Sequence, residues 1–391
     1  MKHIFFYNFV LLLVFFGCSE KQPKQPKISS DTLIIPLDFS EEPIDIHEIG
    51  LINDIEIFHL DYKDAIFGEA DKIIRHKDRI YLMDSRQTKS VIIYDDSCKF
   101  VNLLAAHGQG PKEYLELTDI FVDTALNIVS QPDGKILQYD LDGSNFLGAK
   151  RLPKRFNNIS ATHDGYVGYM RNNSSGDGKL YNLWTMSANF EIKDYFHKID
   201  ETWVSRGFGN GSAFSSYKSK TYHIAYFDYN IYSIEKDGIS IPYSFDIGKL
   251  ALPDKYKKSE MFDHLLKENI VFPYIDRFYH FQETENHLIV SALYMGQNLL
   301  GVYNKQNNKS HIVKLGPNME KYFFGFGRIV SFDENTIYTL IRASEAKRMW
   351  VGKDQYNDFT VKYSEQIKRL RKRFDHIDED DNPYLVVYSI N

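Results

Sequence analysis

From residue 71 onward, short apolar runs alternate with polar turns, and within each run apolar and polar positions follow the two-residue period of a β-strand. One phrase recurs: an apolar strand, a turn carrying Asp, Asn or Gly, a second aromatic-rich strand, then a strand ending in Tyr or Phe. Copies fall at 71–95, 119–140, 158–186, 223–245, 278–303 and 328–340. Asp133-Gly134 and Asp142-Gly143 have the composition of tight hairpin turns, where Gly accepts a positive φ. Repetition of a strand unit at this period signals an array of small sheets.

Three apolar runs are left over: 32–37 and 55–60 ahead of the repeats, and 383–390 after them. The sixth copy lacks its last strands until the last of these runs. Strands from both chain ends can then share one blade, closing a ring of sheets and removing its exposed ends. The pattern predicts an all-β fold, a six-bladed β-propeller with N- and C-terminal strands closing the ring and short inserted helices. One such helix is expected over 255–269, where Met261, Phe262, Leu265 and Leu266 recur at helical spacing, and another over 365–374.

The first residues do not fit the repeats. Lys2 and His3 precede an apolar stretch over 4–16, interrupted by Asn8, which ends at Gly17-Cys18. This is the layout of an export signal, and the stretch is short of the roughly twenty residues a spanning helix needs. Phe15-Phe16-Gly17-Cys18 resembles the lipobox of bacterial lipoproteins, which implies cleavage after 17 and lipid on Cys18. Residues 18–31, polar and Pro-bearing, read as a flexible tether, with the propeller over 32–391. With Cys18 lipidated, Cys98 is the one remaining thiol, so stability has to come from a core rather than a disulfide; Cys98 reads as a half-buried structural thiol. Ser19 in place of Asp implies, by resemblance to bacterial sorting rules, the outer membrane, facing either the periplasm or the surface.

The segment Gly108-Gln109-Gly110-Pro111-Lys112-Glu113-Tyr114, followed by Asp119-Ile120-Phe121-Val122-Asp123, resembles the Gly-x-Gly-Pro-Gly-Glu-Tyr opening of a blade in the six-bladed β-propeller lipoproteins of Bacteroidetes, a family similar in form to NHL-type propellers. Lys112 stands where that family has Gly. Asp381-Asn382-Pro383-Tyr384-Leu385-Val386-Val387-Tyr388 is similar to the family's closing strand. The resemblance implies fold and location; Gly108, Gly110, Pro111, Glu113 and Tyr114 are expected to be structural, and it implies no activity.

Composition narrows the chemistry. The chain has 391 residues, a net charge of −6 and 15% aromatic residues. No basic stripe favours nucleic acid, and the one dense basic run, 368–373, is followed at once by acidic residues over 375–381. Gly108-Gln109-Gly110-Pro111 lacks the Gly-Lys-Ser/Thr ending of a phosphate loop, no acidic segment has EF-hand spacing, and His and Cys lack zinc spacing, so neither metal nor cofactor is expected. No Gly-x-Ser-x-Gly elbow occurs. Asp84, Glu113, Asp119 and Asp276 could reach a central channel and act as a carboxylate pair on a polysaccharide, although turn capping is the commoner role of such residues. Trp184, Trp203 and Trp350 with Tyr279 and Arg277 could instead form a stacking surface, and the Gly-rich loop 203–211, with Trp203 and Arg206, is its best candidate. Asp31-Thr32-Leu33 and Asp123-Thr124-Ala125 resemble O-glycosylation signals of exported Bacteroidetes proteins. The leading expectation is a non-enzymatic, lipid-anchored propeller that binds a small molecule, a glycan or an envelope protein in nutrient acquisition, with Trp203, Arg206, Arg277 and Tyr279 as possible contacts. The alternatives are a polysaccharide hydrolase or lyase in the channel, and a purely structural scaffold.

Overall fold

The computed structural model describes residues 31–391 apart from 45, 47, 61–66, 68, 175, 208–212, 237, 269–271, 316–327, 351–377 and 380. The expected Cys18 lipidation, the tether up to residue 30, the basic run 368–373 and the helix over 365–374 lie outside the described residues.

Two strands precede the repeats, β1 (Leu33–Pro36) and β2 (Ile52–His59). Blade 1 holds β3 (Lys72–His76), β4 (Arg79–Asp84), β5 (Ser90–Asp95) and β6 (Phe100–Leu104). Blade 2 holds β7 (Asp119–Val122), β8 (Leu126–Ser130), β9 (Lys135–Tyr139) and β10 (Phe146–Arg151). Blade 3 is β11 (Asn158–Thr162), β12 (Gly165–Tyr169), β13 (Tyr181–Ser187) and β14 (Ile192–Lys198). Blade 4 is β15 (Phe214–Tyr217), β16 (Lys220–Ile224), β17 (Asn230–Glu235) and β18 (Gly238–Asp246). The helix α1 (Ser259–Glu268) leads to blade 5, with β19 (His280–Glu283), β20 (His287–Tyr294), β21 (Gln297–Asn304) and β22 (Lys309–Leu315). Blade 6 holds β23 (Arg328–Asp333), β24 (Thr336–Ile341) and, after α2 (Ala343–Trp350), β25 (Tyr384–Ile390).

The strands of each blade pair antiparallel, apart from one added edge strand in blade 4, and the six stand in a ring with β3, β7, β11, β15, β19 and β23 innermost. Sheets packed face to face bury both sides of their central strands. That is why nearly every residue of β4, β5 and β8 is buried, whereas the outer strand β10 is exposed or half-exposed. The core is accordingly divided by seam. Ile80, Ile92, Tyr338 and Leu385 join blades 6 and 1; Tyr81, Ile93, Ile128 and Leu137 join blades 1 and 2; Val167, Leu183, Tyr232 and Ile241 join blades 3 and 4.

Both chain ends close the ring. β2 pairs antiparallel with β25 from Ile52 opposite Ile390 to His59 opposite Tyr384, so the outermost strand of blade 6 comes from the N-terminal side. The other early strand goes elsewhere: β1 runs parallel to β18, with Leu33 opposite Tyr243, and makes blade 4 five-stranded. Between the two, the chain crosses blade 5, where the Ile44 N–H donates to Ile312 at 2.9 Å and Ile44 bridges to Val313. One strap therefore grips blades 4, 5 and 6 in turn.

Close packing at the blade 2–3 seam is testable at Gly168 in β12. A Cβ there would lie 2.5 Å from the ring of Phe156, which is fully buried. Gly168→Ala is expected to destabilise the fold by about 1–3 kcal/mol, read as a lower urea midpoint. An unchanged midpoint would mean the Phe156 ring can move aside.

Candidate functional site

In an up-and-down blade, successive turns alternate between the two ends of the sheet. The loops after second strands and the crossings into innermost strands therefore share one face, here the upper face. Three such segments meet where blades 3, 4 and 5 adjoin: the loop after β12 supplies Arg171, the loop after β16 supplies Tyr226, and the crossing into β19 supplies Asp276, Arg277 and Tyr279. The Arg277 guanidinium carbon lies 4.8 Å from the centre of the Tyr226 ring and 4.6 Å from that of Tyr279. Such contacts hold a cation against the negative faces of the rings and fix its direction. The backbone is tied there as well, the Phe227 N–H donating to the Asp276 carbonyl at 3.0 Å.

Arg171 Nη2 donates to Asn158 Oδ1 at 3.2 Å, and Arg277 Nε lies 3.9 Å from the Asp276 carboxylate. Burial pushes the Asp276 carboxyl up, against the pull of Arg277 and the N–H groups of Asp276 and Arg277. Burial likewise pushes the Tyr226 and Tyr169 hydroxyls up, and in both cases Arg171 and Arg277 pull the other way. The two guanidinium groups thus act on the same two phenols. Fixed guanidinium donors beside aromatic edges can receive an anionic or polar ligand.

Of the residues expected at a binding surface, Arg277 and Tyr279 are brought together; Trp203 and Arg206 are not part of the pair. Trp203 is 6% exposed, its Nε1 donates to the Lys257 carbonyl at 2.7 Å, and its ring packs on Phe227 and Phe262. It is core, because α1 covers it with Phe262 and Leu265. Arg206 is exposed and pairs with Asp263 of α1 at 2.7 Å. The first part of the 203–211 loop therefore pins α1 instead of forming an open platform; residues 208–211 lie outside the described residues. Trp184 is also core, 1% exposed, and the side chain of Trp350 is outside the described residues. Sequence reasoning missed Arg171 and Tyr226. Their one signal was position, each lying just past the second strand of its blade.

The candidate carboxylates are engaged separately. Asp84 accepts the N–H groups of Arg86, Gln87 and Thr88, capping the turn after β4. Asp119 is buried, pairs with Lys72 at 2.8 Å and accepts the Ile159 N–H, linking blades 1, 2 and 3. Glu113 accepts the Gly110 N–H at 2.8 Å, and a Cβ on Gly108 would fall 2.0 Å from the Glu113 carboxylate. Tyr114, fully buried, donates its hydroxyl to the Lys89 carbonyl at 2.6 Å. The Gly108–Tyr114 segment is a wound turn closed by its own glutamate. None of these contacts joins one candidate carboxylate to another. Of the two threonines in glycosylation-like signals, Thr124 is exposed at the β7–β8 turn, while the Thr32 hydroxyl donates to the Ile241 carbonyl at 2.6 Å.

The profile of a domain of unknown function, DUF4934, matches residues 33–389. The chain belongs to the DUF4934 family. The DUF4934 match takes in the strap, all six blades and nearly all of the closing strand β25. Among solved structures, a protein of Bacteroides fragilis described as exported is 18% identical, with 92% of this chain aligned to 100% of that one at a TM-score of 0.73. At that identity the likeness establishes the propeller fold alone. An acylaminoacyl peptidase of Pyrococcus horikoshii aligns over 70% of this chain and 49% of its own, at 11% identity and a TM-score of 0.35, too low to bear on function. No curated protein matches the DUF4934 chain.

Proposed function

We propose that this chain is a non-enzymatic binding propeller of the cell envelope, exported by residues 1–17, carried on lipid at Cys18 in the outer membrane, and binding its ligand on the upper face around Arg277. The observation that carries the binding reading is the Arg277 guanidinium held against Tyr226 and Tyr279, with Arg171 acting on the same phenols. Three loops from different parts of the chain build that arrangement, which a stabilising ion pair alone would not need. Export and anchoring rest on the leader and its lipobox-like end, and the fold likeness to an exported protein is in keeping with them. Hydrolysis in the channel has less support, since Asp84, Glu113 and Asp119 are each held in turns and seams.

The full chain, expressed in a Gram-negative host and extracted from membranes, tests this on glycan and peptide arrays. Arg277→Ala is expected to weaken whatever binding is seen by about tenfold or more, the loss of a fixed charged donor. Cys18→Ser is expected to release the chain from the membrane fraction without changing array binding. Equal binding by wild type and Arg277→Ala would reject the site; retention of Cys18→Ser in the membrane would reject the anchor.

A further inference from the structure

We infer that the seam of blades 3 and 4 holds a binding site for a monovalent metal ion with a filled d shell, copper(I) above all, between the Nε2 atoms of His197 and His223. The two residues come from β14 and β16, and their rings stand 5.6 Å apart. Two imidazole nitrogens on one ion, each at about 2 Å, put the ring centres roughly 5–6.5 Å apart. The spacing across this seam falls inside that range. His223 is 1% exposed, and the Nε2 of each ring is out of water's reach with no hydrogen-bond partner among the described residues. Buried polar atoms are costly in that state, so two of them in one seam call for a shared occupant. His223 Nδ1 is turned to the Ala213 carbonyl at 2.9 Å, which places the ring proton there and leaves the Nε2 lone pair free. A ring that ligates a metal is held in the same way, its far N–H given to a backbone carbonyl.

The surroundings select the ion. No carboxylate or thiol joins the pair as a third ligand among the described residues. Asp228, whose charge acts on His197, is taken up by the Tyr232 hydroxyl and by the backbone and side-chain N–H groups of Asn230. Both donors are therefore neutral, and the ion keeps its whole charge inside the seam. A divalent ion would leave two positive charges there, and zinc would lack two of its four ligands. Copper(I) binds in line between two nitrogens and brings one charge. Aromatic faces can steady one charge: Tyr232 lies 4.0 Å from His197, and Tyr169 and Phe214 lie 5.0 and 5.5 Å from His223, centre to centre. A proton is the poorer occupant, since it satisfies one nitrogen and leaves its neighbour facing a charge. Burial accordingly pushes His197 down to about 4 and His223 to about 3. Sequence spacing hides the pair, because the two histidines belong to different blades.

The test titrates the full chain in detergent with copper(I), under anaerobic reductant and against the chelator bicinchoninate. Wild type is expected to retain one equivalent, and His197→Phe and His223→Phe each to weaken its binding by about tenfold or more. Cys98→Ser, which removes a buried thiol as a rival soft donor, is expected to leave the binding unchanged. Zinc(II) is expected to bind about tenfold or more weakly than copper(I). Circular dichroism checks that each variant keeps the fold, and X-ray absorption at the copper edge reads the ligands in the unaltered protein, with two nitrogen donors and no sulfur expected. The site is overturned if wild type retains no copper, if both histidine variants bind as wild type does, or if the absorption spectrum shows sulfur. Zinc held as tightly as copper overturns the choice of ion.

Discussion

Between pH 6.5 and about 4 the folded chain is expected to lose on the order of 4 kcal/mol of stability, most of it through two histidines at the seam of blades 3 and 4. His223 of β16 is buried and His197 of β14 half-buried, with their rings 5.6 Å apart, among Tyr169, Phe214 and Tyr232. The His223 Nδ1 lies 2.9 Å from the Ala213 carbonyl, which requires a proton on that nitrogen and leaves the ring neutral when Nε2 is bare. Burial pushes His197 down to about 4, against the pull of Asp228, and pushes His223 down to about 3, with His197 adding to the effect. The unfolded chain takes up protons near pH 6.5 and the folded chain does not, so stability is fully present above 6.5 and falls as the pH drops toward the folded values. Each histidine contributes a slope of about 1.4 kcal/mol per pH unit in that window.

A group of opposite sign moderates the loss. Asp333, pushed up to about 6 by burial, binds its proton more tightly folded than unfolded, so it returns stability as the pH falls below 6. The net figure already allows for it. His223→Phe, which keeps an aromatic ring in the seam, is expected to lower stability at neutral pH and to make the acid loss about 3 kcal/mol smaller than in wild type. Urea midpoints at about pH 7.5 and about pH 4.5 for the two proteins measure the difference, and parallel losses would remove the histidines as the cause.

Glu283→Ala is expected to cost about 3–5 kcal/mol, the penalty for leaving buried charge and hydroxyl groups without their acceptor. Glu283, at the end of the innermost strand of blade 5, is 6% exposed and accepts from the Tyr222 hydroxyl, from the Tyr243 hydroxyl at 2.9 Å and from Lys305 Nζ at 2.6 Å. Both tyrosines belong to blade 4, so one carboxylate fastens two blades. Burial and the Glu283 charge together push the two hydroxyls up, keeping them as donors across the accessible pH range. Glu283→Gln preserves the shape and one acceptor and should cost less than Ala. Equal losses for Gln and Ala in chemical unfolding would mean that the charge adds nothing at this seam.

The six blades were legible because their central strands are buried on both faces, which writes unbroken apolar runs such as Val91-Ile92-Ile93-Tyr94 into the chain. The outer strand Phe146–Arg151 was not, for the opposite reason: it is exposed or half-exposed throughout and its composition matches that of a loop, while in blade 4 the fourth strand was read and the short innermost one, Phe214–Tyr217, was missed. Closure by both ends was legible, but the partner of β1 was not. A four-residue strand pairing in parallel with a segment as distant as Gly238–Asp246 carries no pattern of its own. The α1 helix was anticipated with its boundaries too wide, and Met261 and Leu266 proved exposed where Phe262 and Leu265 are buried.

At the site, Arg277 and Tyr279 stood out because an aromatic face beside a guanidinium supplies the contact area and directional donors of a stacking surface. Arg171 and Tyr226 did not, since only the ring of blades brings their loops beside that crossing. Trp203 misled because the glycines that follow it suggest exposure, while the residues that bury it lie on a helix more than one blade further along the chain.

The strap over blades 4, 5 and 6 matters mechanically. If Cys18 carries the lipid, every tug of the membrane enters the domain at β1, the strand nearest the tether. A pull along β1 shears its ladder against the parallel β18, loading those hydrogen bonds together instead of opening them one at a time. The bridge from Ile44 to blade 5 comes next, and only behind it lies the β2–β25 pairing that holds the ring shut. Force from the anchor is thus absorbed by grips arranged in series, and the closure of the propeller is the last of them to feel it.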